Sequence, residues 1–209
     1  MSIVIAVDGT AASGKGTLAK KLAAHFGFHY LDSGALYRLV GLGVAEAHGD
    51  PHNEADALAA ARHIDHTRAD DPAIRTAEMG RLAAIVAPHQ SVRKELLDYQ
   101  RAFARREPGA VLDGRDIGTV VCPEADVKFF VDASPEVRAH RRMLELHAAG
   151  RQCSEADILT ELLARDRADK TRKESPLIAA TDAIHVDTTS LTVNEMVERA
   201  VAAVTAALA

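Results

Sequence analysis

The chain has 209 residues, 47% hydrophobic and 26% charged, which suits a globular domain long enough to bury its own core. Its formal charge of −5 argues against a polynucleotide or an anionic membrane surface as the main partner. No apolar run approaches a membrane span or a signal-peptide core, and Cys122 and Cys153 are too far apart for a redox or metal motif, so a cytoplasmic protein with free thiols is expected.

The apolar run from Ile3 to Val7 predicts a buried strand, and Leu18, Leu22 and Phe26 recur at the spacing of a helix. Between them lies Gly9-Thr10-Ala11-Ala12-Ser13-Gly14-Lys15-Gly16-Thr17. Backbone N–H groups at a helix N-terminus can replace the water around a polyphosphate if no side chain stands in the way, and Gly9 and Gly14 are read as clearing that approach. Lys15 supplies a mobile charge for β- and γ-phosphates, while Ser13 and Thr17 offer hydroxyls to a phosphate oxygen or to Mg²⁺-bound water. Gly16 directly after the lysine removes a hydroxyl ligand at that place, so Mg²⁺ is expected to keep most of its waters.

Gly27 suits a helix C-cap, Phe28 to Leu31 reads as a second strand ending at Asp32-Ser33-Gly34, and a helix from Ala35 carries Tyr37 and Arg38. Continuous apolar strands alternating with helices imply a parallel sheet covered on both faces, with ligands at the carboxyl ends of its strands. Residues 48–75 are polar and weakly patterned, with a cap at Asn53, and read as a peripheral insert of helix and loop. A helix over about 76–87 follows, then one capped by Ser91 with Leu96, Tyr99 and Phe103 on its buried stripe. Arg93 in its first turn opposes the helix dipole, which suits a ligand contact better than helix stability. Ala110 to Leu112 predicts a third strand ending in Asp113-Gly114-Arg115-Asp116, and Val127 to Val131 a fourth. Ser134-Pro135-Glu136 opens a helix bearing Arg138, Arg141 and Arg142. After the turn Ala149-Gly150-Arg151, Ser154 caps a helix with Arg165, Asp169, Lys170 and Arg172. A fifth strand, Ala183 to Asp187, and a final helix boxed by Thr192 and Glu195 complete the alternation.

A phosphate-gripping loop is shared by switches, motors and kinases, so the loop alone names no reaction. There is no Ser/His/Asp relay and no H-E-x-x-H pair, and the histidines read as solvated or core residues. Arginine is abundant at the strand ends: Arg38, Arg93, Arg115, Arg165 and Arg172. Phosphoryl transfer to an acceptor that is itself a phosphate needs no general base, because the attacking oxygen is already anionic; guanidinium groups and Mg²⁺ overcome the repulsion. A nucleoside monophosphate acceptor fits that inventory. A kinase of another small phosphorylated acceptor and an ATP-binding switch remain the alternatives, and Arg38 and Arg93 could also be surface arginines. Asp113 either orients Mg²⁺-bound water or merely caps its loop.

Five segments in order resemble bacterial cytidylate kinases over nearly the whole chain: Gly9 to Thr17, Leu31-Asp32-Ser33-Gly34-Ala35-Leu36-Tyr37-Arg38, Asp113 to Val121, Ala139-His140-Arg141-Arg142, and Arg165 through Arg172. The resemblance implies a P-loop NTPase fold, three-layer α/β/α with a five-stranded parallel sheet, a short monophosphate-binding insert at about 48–75 and a helical lid at about 149–159. The core would then be 1–47, 76–148 and 160–209 of a single domain. It implies ATP-dependent phosphorylation of CMP and dCMP with Mg²⁺, by a cytoplasmic monomer. Lys15, Arg115 and Arg172 would be catalytic, and Gly9, Thr10, Ala11, Ala12, Ser13, Gly14, Lys15, Gly16 and Thr17 would hold ATP. Arg38, Arg115 and Arg172 would hold the acceptor phosphate, with Ser33 and Tyr37 nearby; Arg165 and Asp169 would reach the sugar; Arg93 and Asp116 would read cytosine. Thr17 and Asp113 would approach the metal through water. Two departures stand out: Ala11 and Ala84 each replace a small polar residue seen in relatives, at about 1 kcal/mol per lost contact.

Overall fold

The computed structural model describes residues 2–148 and 150–209. Ala149, where the expected lid and its turn begin, lies outside the described residues. In chain order the elements are β1 (Ile3–Gly9), α1 (Lys15–Phe26), β2 (His29–Asp32), α2 (Ser33–Glu46), α3 (Glu54–Arg62), α4 (Ala77–Val86) and α5 (Gln90–Ala104). Then come β3 (Gly109–Gly114), β4 (Val127–Asp132), α6 (Pro135–Ala148), α7 (Glu155–Thr171), β5 (Ile184–Asp187) and α8 (Val193–Ala207). Contacts divide the chain into two compact units, one formed by the segments up to Tyr30 and from Arg105 onward, the other by Leu31–Ala104.

The first unit is built on a five-stranded sheet of order β2-β3-β1-β4-β5, in which β1 pairs in parallel with β3 and β4, and β4 with β5. β1 is central because its Ile5, Ala6 and Val7 carry no polar group and are wholly buried. α1 and α8 share one core with the sheet, with Leu18, Leu22, Met196, Ala200 and Val204 against Ile5, Val7, Val111, Phe129 and Val131. The chain leaves β1 toward β2 on the far side of β3, while β4 lies on β1's other side, so the loop after β1 opens where ligands gather in such sheets.

Gly9 is required by this packing. A Cβ there would lie 1.9 Å from the Val131 carbonyl oxygen on β4. Gly9 also has φ 154°, so Gly9→Ala is expected to cost about 3 kcal/mol through overpacking and backbone strain together, read as a lower urea midpoint. Gly27→Ala is the comparator: Gly27 has φ 68° and nothing within 4 Å of the added carbon, so only about 1 kcal/mol of backbone strain is expected. Equal losses would mean that the contact with β4 adds nothing to the backbone strain that both positions carry.

The second unit is helical. Its 48–75 stretch holds α3 and two 3₁₀ turns, His66–Asp70 and Pro72–Arg75, and no strand among the described residues, as the weak patterning implies. Asn53 caps α3 by accepting from the Ala55 and Asp56 N–H groups, and Thr76 caps α4 through Met79. α2 begins at Ser33, two residues before the expected start, because Asp32 caps it by accepting from Ala35 N–H at 3.1 Å. Ser91 is not the cap of α5. The helix already runs from Gln90, and both the N–H and Oγ of Ser91 donate to Glu54 on α3. Gly41 lets α4 approach α2, since a Cβ would meet the Leu82 Cβ at 2.7 Å.

Candidate active site

The turn after β1 is held rigidly from beneath. Gly14 is left-handed, φ 93°, and precedes α1 with no side chain capping the helix, so its N-terminal donors are presented to an anion. Ala12 is also left-handed at φ 59°, a strained setting for a residue with a Cβ. Thr10 Oγ1 donates to Asp132 at 2.6 Å, Ser13 Oγ to the Thr10 carbonyl at 3.0 Å, and Thr188 Oγ1 to the Ser13 carbonyl at 2.8 Å. Thr10 and Ser13 are buried, so their hydroxyl protons build the loop; Thr17, in the first turn of α1, is exposed. Ala11 packs with Ala139, Ile158 and Leu162 of α6 and α7. A serine there would set its hydroxyl against apolar neighbours, which accounts for the departure at this position.

Lys15 Nζ lies 3.7 Å from Asp113 Oδ2, and Tyr30 OH donates to Asp113 Oδ1 at 2.9 Å. Asp113 and Gly114 thus lie inside β3 rather than after it, with the carboxylate buried beneath Lys15. The loop fits a nucleotide polyphosphate in its chemistry: an uncapped helix start, a partly exposed lysine and an exposed threonine lie within three residues of one another. Among the described residues no group of three His, Cys, Asp or Glu is placed to hold a metal.

Arg115 and Asp116 follow β3 and lead into a π-turn, Ile117–Val121. Arg115 Nε donates to Asp169 on α7 at 2.8 Å, and Arg172 Nη2 lies 3.8 Å from Asp116 Oδ1. Burial pushes the Asp169 carboxyl up, but Arg115, then Arg165 and Arg172, outweigh it and hold the group below its usual value. The structure brings together Arg115, Asp116, Arg165, Asp169 and Arg172, while Lys15, in the same unit, meets Asp113 two residues before Arg115. Alternating sign among these groups lets the cations stay ordered in the absence of an anion and exchange carboxylate for phosphate.

In the second unit, Arg38 Nη1 donates to the carbonyls of Ile74 at 2.8 Å and Thr76 at 3.0 Å, which pins the 3₁₀ turn to α2. Arg93 stacks over the Tyr37 ring, 5.7 Å from its centroid, and donates to Ala87 O at 3.3 Å. Ser33 is buried in the first turn of α2, and Ala84 is exposed on α4.

Two residues were not singled out by the sequence reading. Arg138, on α6, is 2% exposed; it donates to the carbonyls of Ala133 and Ala11 and forms a paired bridge to Asp166 on α7, with Nη2 to Oδ2 at 2.6 Å. It supports the phosphate loop from behind. Its neighbours differ: Arg141 holds Thr188 through Oγ1 and the carbonyl, and Arg142 pairs on the surface with Glu145. Asp8, the last acid before the loop, is also buried and accepts two backbone N–H groups. A buried charge so placed carried no spacing signal in the sequence; only the oddity of an acid ending an apolar strand pointed to it.

Comparison with known proteins bears on the whole of this arrangement. A sequence profile described as cytidylate kinase matches residues 5–206. The chain is 51% identical over 199 residues to a cytidylate kinase of Rhodopseudomonas palustris, covering 95% of this chain and 94% of that one. It is 49% identical over 202 residues to a cytidylate kinase of Nitrobacter winogradskyi, covering 97% and 95%. Among solved structures, a shikimate kinase from Bacteroides thetaiotaomicron aligns with a TM-score of 0.51 at 14% identity, covering 97% of this chain and 98% of that one. That last likeness speaks for the P-loop α/β fold alone. The profile match runs from β1 into α8 and takes in the phosphate loop, the turn after β3 and the arginine-bearing helix α7: the chain belongs to the cytidylate kinase family.

Proposed function

We propose that this chain transfers the γ-phosphoryl group of ATP to CMP and dCMP, giving ADP with CDP or dCDP. The observation that carries the reading is that the first unit holds both an uncapped helix start bearing Lys15 and, directly after Lys15's partner strand β3, the guanidinium group of Arg115, with Arg172 beside Asp116. An acceptor phosphate oxygen attacks the γ-phosphorus while the bond to the β-bridging oxygen breaks, and the electron pair leaves with ADP. No protein base is needed, because the attacking oxygen is already anionic. Mg²⁺, held through the phosphates, supplies charge neutralisation. Lys15 follows the β- and γ-phosphates, and Arg115 and Arg172, with Arg38, orient the acceptor phosphate. Arg165 and Asp169 address the sugar, and Ser33 and Tyr37 line the acceptor's approach. The enzyme works as a cytoplasmic monomer on small-molecule nucleotides.

Specificity falls to Arg93 and Asp116. Cytosine offers an amino donor to a carboxylate and ring acceptors to a guanidinium, whereas uracil sets an oxygen acceptor against Asp116. Asp116→Ala is expected to cut the preference for CMP over UMP by roughly 5- to 150-fold, the equivalent of about 1–3 kcal/mol. The measurement is Mg·ATP consumption with CMP, dCMP, UMP and AMP offered separately. Dominance of CMP and dCMP supports the reading; equal use of UMP would leave the chemistry and overturn the base assignment. ATP binding without turnover on any acceptor would favour a nucleotide-binding switch.

A further inference from the structure

Asp8, the penultimate residue of the central strand, has a buried carboxylate that none of the steps above employs. Each of its oxygens accepts one backbone N–H: Oδ1 from Ile117 and Oδ2 from Gly118, both at 2.8 Å. These are the first two residues of the π-turn, directly after Arg115 and Asp116. The turn closes on Asp116, whose carbonyl accepts from Val120 and Val121 at 2.9 and 3.1 Å. In the β1–β3 register Asp8 stands opposite Gly114, so strand pairing brings the carboxylate to the root of the same turn. Gly118 leaves just enough room: a Cβ would lie 3.2 Å from the Lys128 stem and 3.5 Å from Asp8 Oδ2.

We propose that Asp8 is a positioning residue whose ionised carboxylate holds the 117–118 amides and thereby sets Asp116 and Arg115 for the acceptor nucleotide. This rests on the acceptor roles given to Asp116 and Arg115 above. It joins the strand that feeds the phosphate loop to the turn that reads the acceptor.

The clamp is sensitive to protonation. Burial pushes the Asp8 carboxyl up to about 6, against the pull of the Gly118 and Ile117 N–H groups, with Asp116 adding to the rise and Arg115 opposing it. The other charge packed nearby, Lys128 on β4, directs its ammonium to the Pro123 carbonyl and Asp182. Above its pKa the carboxylate accepts both amides. As pH falls through about 6, one oxygen becomes a hydroxyl and a poor acceptor, and the turn loosens.

The test compares wild type with the near-isosteric Asp8→Asn over about pH 5 to 8, varying CMP and Mg·ATP separately. CMP titrates in the same range, and the variant carries that contribution unchanged. At neutral pH the substitution should raise the KM for CMP about tenfold and leave that for ATP within about twofold, since one amide loses its acceptor. The part of the acid limb due to Asp8 should vanish from the kcat/KM profile for CMP. An unchanged profile, or equal loss toward both substrates, would overturn the proposal. Amide exchange at Ile117 and Gly118 in the wild type, corrected for intrinsic rates, needs no variant: protection should fall below about pH 6, and constant protection would refute the clamp. A wild type inactive on CMP at every pH would refute the acceptor assignment instead, while the exchange measurement still decides the role of Asp8.

Discussion

Replacing Lys15 by alanine is expected to lower kcat by roughly 10³-fold or more while the protein stays folded. Lys15 opens α1 and its ammonium is partly exposed, so its removal takes no apolar contact from the core. What it removes is a partly exposed ammonium beside the phosphate loop, which on the proposed mechanism acts where negative charge accumulates between donor and acceptor. Some stability is lost, because the 3.7 Å approach to Asp113 is an ion pair whose carboxylate is buried, but Tyr30 still donates to that carboxylate and the core keeps its apolar contacts. The KM for CMP should therefore change less than kcat, the signature of an interaction made mainly in the transition state. Lys15→Arg separates charge from shape: a guanidinium keeps the charge but is a planar fork, and recovery of less than about a tenth of the rate is expected. The check is steady-state kinetics beside a thermal melt. A Lys15→Ala enzyme within tenfold of wild type, with an unchanged melt, would move the donor phosphates away from this loop.

How much of this was legible in the sequence depends on whether the deciding contact is local. The phosphate loop, the buried strands and the caps at Asn53, Ser154 and Thr192 are local patterns, and each lies where its residues predict. Gly9 shows the limit: a glycine before such a loop suggests room for phosphate, yet its constraint is the carbonyl of Val131 on a strand far along the chain. Ser91 fails as a cap for the same reason, since Glu54 from α3 takes its donors. Arg138 sits three and four residues from Arg141 and Arg142, and a run of arginines on one helix reads as a solvated face. Its partners, Asp166 and the Ala11 carbonyl, are 28 and 127 residues away, so nothing nearby distinguishes it from Arg142 on the surface. Asp113 was open between a role at the metal and a local cap, and in the fold it answers to Lys15 and Tyr30. Arginine, read by type and place relative to the strand ends, gave the chemistry; which arginine is buried needed the tertiary structure.

Breaking the Arg138–Asp166 pair is expected to cost about 3–5 kcal/mol of stability, a large share of the 5–15 kcal/mol typical of a domain. Both side chains are nearly out of solvent, 3% and 10% exposed, so removing either one leaves a buried charge without its partner. Arg138→Ala also strips a donor from the carbonyls of Ala133 and Ala11. Asp166→Asn keeps the shape and removes the charge, and is expected to cost less than Arg138→Ala. Arg138→Lys should rescue little, because an ammonium cannot span Asp166 and two carbonyls as the planar fork does. The consequence for function follows from Ala11. With its carbonyl released, the loop that carries Ala12 in a left-handed conformation loses one of its external holds, and the KM for ATP should rise before that for CMP. Urea unfolding of the two single variants and of the double variant closes a thermodynamic cycle. A coupling energy above about 2 kcal/mol, with the ATP-selective rise in KM, is the expected result. Additive losses with both substrates equally affected would mean that Arg138 and Asp166 stabilise α6 and α7 separately and that the phosphate loop holds its shape without them.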